Sequence, residues 1–98
     1  MISRPAFFDS ISDIQYPEML VEFFDQFVAL KQIVEDYGKV SVINNTDNSI
    51  TFLIAFNNTK NRDKALSNVQ SGNIIIYGRQ ISIQVEVISE TEIKLALQ

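Results

Sequence analysis

The chain has 98 residues, of which 46% are hydrophobic and 20% charged, and its formal net charge is −4. This length and composition predict a single globular domain over residues 1–98 with one hydrophobic core. Because the sequence contains neither Cys nor His, disulfides, thiolate metal sites and imidazole catalysis are excluded.

The N-terminal stretch MISRPAFFDSI holds only a pair of Phe residues between Pro5 and Asp9, which is too short for the apolar core of a signal peptide. No apolar run approaches the roughly 18 residues of a membrane span. We therefore expect an intracellular domain, in the cytoplasm or the nucleus, without a membrane partner. The acidic balance also disfavours non-specific binding to a polyphosphate backbone.

The first predicted elements are a short strand and a long helix. The apolar run AFFDSI at residues 6–11 predicts the strand. Pro17 lies where a first-turn proline is tolerated, so the helix is expected to begin near it and to end at Gly38. Apolar residues recur between them at the three-and-four spacing of a wide helical stripe: Leu20, Phe23, Phe24, Phe27, Val28, Leu30, Ile33, Val34 and Tyr37.

Two strands joined by a hairpin are predicted next. Residues 39–43 favour the first of them, and the polar run at 44–48 is typical of a turn. Residues 49–56 predict the other, and Thr59 or a neighbouring Asn is expected to cap a second helix. In the strand at 49–56, alternation separates two faces, with Phe52, Ile54 and Phe56 on one and Thr51, Leu53 and Ala55 on the other.

The C-terminal part predicts a small strand at 74–77 and a long strand at 80–88. Alternation in the long strand directs Ile81, Ile83, Val85 and Val87 to the core and Ser82, Gln84 and Glu86 away from it. Residues 89–98 are interpreted as a C-terminal extension. Ser89 followed three positions later by Glu92 is a capping-box signature, which predicts a short helix there, with a strand as the alternative.

The predicted order β-α-β-β-α-β, with a small extra strand before the last one, defines an α+β ferredoxin-like sandwich with a long first helix. Three segments in it resemble the RNA recognition motif family: YGKV at 37–40, NNTKNRDKALSNVQ at 57–70 and YGRQISIQVEV at 77–87. The resemblance covers nearly the whole chain. It is weakest over residues 12–30, which are longer than the family usually allows.

The resemblance implies a sheet that reads RNA with aromatic rings on its first and third strands. The AFFDSI segment puts Phe7 at the exposed aromatic position of the first strand. On the third strand, Thr51 and Leu53 occupy the two stacking positions, and Phe52 stands where the family prefers Gly or Ala, which predicts a repacked core. Stacking is worth about 1–3 kcal/mol per base, so the loss of two rings predicts weak or no RNA binding.

Our first functional hypothesis is a domain of an RNA-regulatory protein that acts mainly in protein–protein contacts, above all as a homodimer. The apolar residues of the long helix span more angle than one sheet face covers, so we expect either a partner or a break near Ala29 that folds the extra turns onto the sheet. The residues expected at the protein interface are Phe23, Phe24, Phe27, Val28 and Leu30.

The alternative hypothesis is weak binding of single-stranded RNA through the sheet. Its expected contacts are Phe7, Thr51, Leu53, Arg79 and Gln84. An enzyme is not expected, because an activated Ser would need a Lys base here and no Ser-x-x-Lys motif or phosphate-binding glycine loop occurs. We likewise expect no cofactor, no metal and no small-molecule substrate.

Overall fold

A computed structural model describes residues 18–46 and 49–98, and this part of the chain has an α+β fold in which helices cover one face of a five-stranded antiparallel sheet. The helices are α1 (Glu18–Gln26), α2 (Val28–Tyr37) and α3 (Thr59–Leu66). The strands are β1 (Gly38–Asn45), β2 (Ile50–Phe56), β3 (Gly72–Ile76), β4 (Arg79–Val87) and β5 (Glu92–Leu97), in the sheet order β1-β2-β5-β4-β3. This architecture is compatible with the predicted ferredoxin-like fold. The strand predicted at residues 6–11 lies outside the described residues.

The last strand, β5, lies at the centre of the sheet and pairs antiparallel with β2 on one side and β4 on the other. Its buried positions alternate with half-exposed ones, as the period of a strand requires. The prediction of a short C-terminal helix from the capping-box spacing is therefore wrong, and the alternative of a strand is confirmed. Ser89 and Glu92 instead close the β4–β5 hairpin, where the Ser89 hydroxyl donates to the Glu92 carboxylate at 2.9 Å.

The single long helix predicted between Pro17 and Gly38 is two helices with a kink at Phe27, whose φ is −106° and ψ is 68°. The Phe27 N–H still donates to the Phe23 carbonyl at 3.0 Å, and the Lys31 N–H donates to the Phe27 carbonyl at 2.8 Å. The chain therefore bends without an intervening loop. The predicted alternative of a break near Ala29 is thus confirmed, although the break lies two residues earlier, at Phe27. The second helix ends at Tyr37, just before Gly38, as predicted.

Aromatic rings join α1 to the sheet. The ring of Phe52 on β2 lies 5.8 Å from that of Phe23 and 5.9 Å from that of Phe24, and Phe27 stacks on Phe23 at 4.6 Å. Such contacts stabilise beyond the apolar area that they bury. Phe52 faces the helices, as predicted, and its ring packs against α1.

Hydrogen bonds from Asn residues begin α3, as the sequence predicts. The Asn58 side chain accepts the N–H of Asn61 at 2.9 Å, and the Asn61 amide donates to the Asn57 side chain at 2.7 Å. The guanidinium of Arg62 then donates to the carbonyl of Ser89 at 2.6 Å. The bond from Arg62 attaches this helix, which has few apolar residues, to the turn of the β4–β5 hairpin.

A two-residue turn joins β3 to β4, with Tyr77 at φ 52° and Gly78 at φ 77°. Two positive φ values are the geometry of a type I′ hairpin turn, which usually takes Asn, Asp or Gly at its first position. Tyr77 is strained there, since its Cβ crowds the backbone in the left-handed region.

No helix of the described ranges is long and apolar enough to cross a bilayer.

The packing of α1 predicts a large effect of Phe52→Ala. Phe52 is fully buried, so we expect the free energy of unfolding to fall by about 3–5 kcal/mol through lost burial and the cavity left behind. Urea denaturation followed by circular dichroism measures this difference. Thr51→Ala on the opposite side of β2 is the matched control and should cost less than about 1 kcal/mol. Equal losses in the two variants would contradict the assigned faces.

The strain at Tyr77 predicts that Tyr77→Asn stabilises the protein. Asn tolerates the left-handed region, so we expect the free energy of unfolding to rise by about 0.5–1 kcal/mol. Tyr77→Ala lacks the short polar side chain by which Asn hydrogen-bonds locally in this region, so it should bring no such gain. Thermal unfolding of the three proteins tests this, and a destabilised Asn variant would show that the Tyr77 ring contributes more than the strain costs.

Candidate functional site

One face of the sheet carries no helix of the described residues and is called the open face below. Successive side chains of a strand point to opposite sides of a sheet, so the register identifies its members. Across the five strands, in sheet order, they are Lys39, Ser41, Asn44, Thr51, Leu53, Ala55, Glu92, Lys94, Ala96, Gln80, Ser82, Gln84, Glu86, Asn73 and Ile75. The buried side chains of the core lie on the other face.

Two rows of side chains cross the centre of the open face. In one row Ala96 lies between Thr51 and Gln84, and in the other Lys94 lies between Leu53 and Glu86. The Lys94 ammonium is 3.2 Å from the Glu86 carboxylate. These rows border a shallow depression of about 460 Å³. The central cation of the face is thus already paired with an anion.

The structure brings together three of the five predicted RNA contacts: Thr51, Leu53 and Gln84. Arg79 does not join them. It lies two residues before the buried Ile81 on β4, so its side chain leaves the strand on the helix-covered side. Phe7 lies outside the described residues.

Among residues 18–46 and 49–98, the open face has neither of the features by which a sheet binds single-stranded RNA. None of these side chains is aromatic, so they offer bases no ring on which to stack. Its two lysines, Lys39 and Lys94, are balanced by two glutamates, Glu86 and Glu92. Because the charges on this face cancel, it would neutralise few phosphates and release few of their counterions, and that release is what favours binding. Short polar and aliphatic side chains make up the remainder.

Most of the protein interface predicted from the long helix is part of the core. Phe23, Phe24 and Leu30 are 0% exposed within the single chain, so they have no surface to offer a partner, and this expectation is corrected for all three. Phe27 is partly buried and borders a cleft of about 360 Å³ next to β3. Only Val28, at 68% exposure, remains a surface residue.

The two edges of the sheet carry exposed apolar residues that were not predicted as a site. Val42 and Ile43 on β1 are 39% and 58% exposed, and Ile75 on β3 is 57% exposed. The β-branched residues around them favour strands. They do not indicate which strands lie at an edge, because strand order depends on long-range pairing that one sequence does not contain.

Negative charge collects where α1 passes the β3–β4 turn. Loss of hydration there, followed by the charges of Glu18, Glu22 and Asp25, raises the pKa of the exposed Tyr77 hydroxyl above its ordinary value. Within the described ranges, no three acidic side chains come together in a way that could hold a metal ion. This end of the sheet is therefore an acidic surface with one aromatic ring.

Comparison with known proteins adds no relative to these observations. No family model, no curated protein and no solved structure matches the chain. The open face and the edges of the sheet are therefore the basis for a functional proposal.

The pair formed by Glu86 and Lys94 predicts a small coupling energy. Their side chains are 63% and 36% exposed, so solvent screens the attraction and we expect about 0.2–1 kcal/mol. A double-mutant cycle with Glu86→Gln and Lys94→Gln, measured by urea denaturation, gives this value. The coupling should shrink in 1 M salt, where the screening length is about 3 Å. A larger, salt-insensitive coupling would mean that the pair is shielded from water.

Proposed function

We propose that this domain is a protein-interaction module of an RNA-regulatory protein, with a fold like that of the RNA recognition motif but without RNA binding of its own. The observation that carries the proposal is the composition of the open face. Where the family stacks bases on rings, this face has Thr51 and Leu53, and its lysines are matched by glutamates. Neither stacking nor phosphate attraction then favours nucleic acid.

The proposed relation to the family includes a rearranged order of strands. In a split β-α-β fold, the first strand lies between the two strands that here are β2 and β4. β5 occupies that central place, antiparallel to both neighbours. On this proposal, the C-terminal segment supplies the strand that the family takes from its N-terminal end. Its outward side chains are Glu92, Lys94 and Ala96 instead of a stacking ring.

Protein is the partner that the remaining surface fits best. An exposed edge strand offers a row of backbone donors and acceptors, and other chains bind such edges as added strands. β1 combines an edge position with the exposed side chains of Val42 and Ile43. The contact requires no catalytic group, which agrees with a purely binding role.

A titration with labelled single-stranded RNA tests the lack of RNA binding. Fluorescence anisotropy at about 0.1 M salt should show no saturable binding at micromolar protein, because the two missing rings correspond to roughly 2–6 kcal/mol, or a loss of more than tenfold in affinity. As a gain-of-function control, the double variant Thr51→Phe, Leu53→Phe restores rings at both positions and should bind at least about tenfold more tightly than wild type.

The opposite outcome is equally specific. Micromolar binding by the wild type that weakens with salt and is abolished by Lys94→Glu would place RNA on the open face and overturn the proposal. Leu53→Asp would then be expected to abolish binding as well, whereas Arg79→Glu on the other face would not.

A further inference from the structure

The two edges of the sheet differ in how well they are protected. On β3, the side-chain amide of Gln26 donates to the carbonyl of Ile75 at 2.7 Å, so α1 already satisfies part of this edge. On β1, no side chain of residues 18–46 or 49–98 hydrogen-bonds to a backbone group of the strand. β1 is also longer, with eight residues against five. Within residues 18–46 and 49–98, the β3 edge is therefore partly shielded and the β1 edge is open.

The hydrogen bonds around β2 define which backbone groups of β1 point outward. The Asn57 N–H donates to the Tyr37 carbonyl, whereas the Phe56 N–H donates to Thr91 on the side of β5. Bonded positions alternate along an antiparallel pair, so Val40 and Val42 direct their N–H and carbonyl groups away from β2. The carbonyl of Gly38 points the same way, while its N–H donates to Val34 at the end of α2.

β1 has few of the features that keep an edge strand from pairing. Natural edges are usually interrupted by charges, prolines or bulges. The strand GKVSVINN contains a single charge, Lys39, and no proline, and its bulge lies between Val42 and Asn44 near the far end. The segment from Gly38 to Val42 is thus a regular strand edge, on which every second residue directs its backbone groups away from β2.

This segment is complementary to itself. If two copies run antiparallel about a two-fold axis at Val40, the outward groups of the two Val40 residues face each other, and Val42 of each copy faces Gly38 of the other. The β-branched Val40 side chains then form a cross-strand pair, and Val42 packs where Gly38 has no side chain. Lys39 lies opposite Ser41, so no like charges meet.

We infer that β1 is the site at which a second copy of this chain binds, through antiparallel β1–β1 pairing centred on Val40 that joins the two sheets into one. The inference rests on the proposed role as a protein-interaction module and names its partner. A two-fold contact uses the same surface on both copies and is closed. Gln26 occupies one outward carbonyl of β3, so the two edges are not equivalent, and a two-fold contact between β1 strands gives a dimer.

Sedimentation equilibrium of proline variants tests the pairing. Val42→Pro removes one outward N–H, and proline is tolerated at an edge where that N–H faces solvent. Because each copy loses a donor, we expect the dissociation constant of the dimer to rise by about ten- to a hundredfold. Ile75→Pro makes the same change on β3, where the carbonyl bonded to Gln26 shows that residue 75 also points outward, and should leave the constant within about threefold.

Cysteine cross-linking tests the register. The chain contains no Cys, so a single Val40→Cys is the only thiol. Facing residues of a bonded antiparallel pair have Cα atoms about 5.5 Å apart, within the range of a disulfide, so mild oxidation should produce covalent dimers. Ser41→Cys is the matched control. In this register, its Cα is about 8 Å from its symmetry mate, beyond disulfide reach, so it should cross-link at least about tenfold more slowly.

The outcomes separate this inference from the proposed function. A wild type that remains monomeric at about 1 mM overturns the inference, as do equal cross-linking rates for the two Cys variants with native circular dichroism. A dimer that Val42→Pro leaves intact but Leu53→Glu disrupts also overturns it, and moves the contact to the open face while the module stays protein-binding. RNA binding by the wild type overturns the proposed function itself.

Discussion

The pairing of β5 with two neighbours at once is the constraint from which the other surfaces follow. A strand bonded on both sides makes β1 and β3 the edges of the sheet. Its alternation then sends Ile93, Leu95 and Leu97 into the core and Lys94 and Ala96 onto the open face. The same strand therefore supplies apolar side chains to the core and charged or small side chains to the open face.

The burial of α1 changes where a partner can bind. The Phe-rich stretch carries more apolar surface than one regular helix can place against a sheet, and the kink at Phe27 resolves this by giving α1 its own contact with Phe52. The aromatic side chains that form an apolar stripe in the sequence are thus packed within one chain. Among the described residues, the β1 edge leaves outward backbone groups that no side chain bonds, and a hydrophobic pattern does not reveal such groups.

Local patterns predicted those elements whose partners are close in sequence. The alternation over residues 49–56 correctly assigned Phe52 and Ile54 to the core and Thr51 and Leu53 to the opposite face. For the C-terminal segment a helix and a strand were both open, because the spacing of Ser89 and Glu92 fits a helix cap and a hairpin turn equally well; the alternation that follows favours the strand that forms. Neither the strand order nor the edge position of β1 has a local signal, since both depend on pairings between distant segments.

The position of β5 also bears on how the chain folds. Its pairing with β4 is a short hairpin, whereas its pairing with β2 joins residues that are distant in sequence, from Ala55 with Glu92 to Ile50 with Leu97. Closing so long a loop costs conformational entropy before the contacts of the core can offset it. The β4–β5 hairpin should therefore form early and β2 should dock late. Until then, β2 exposes a second bare strand edge beside an uncovered Phe52. The interval before docking is when the chain is most prone to misassembly with its neighbours.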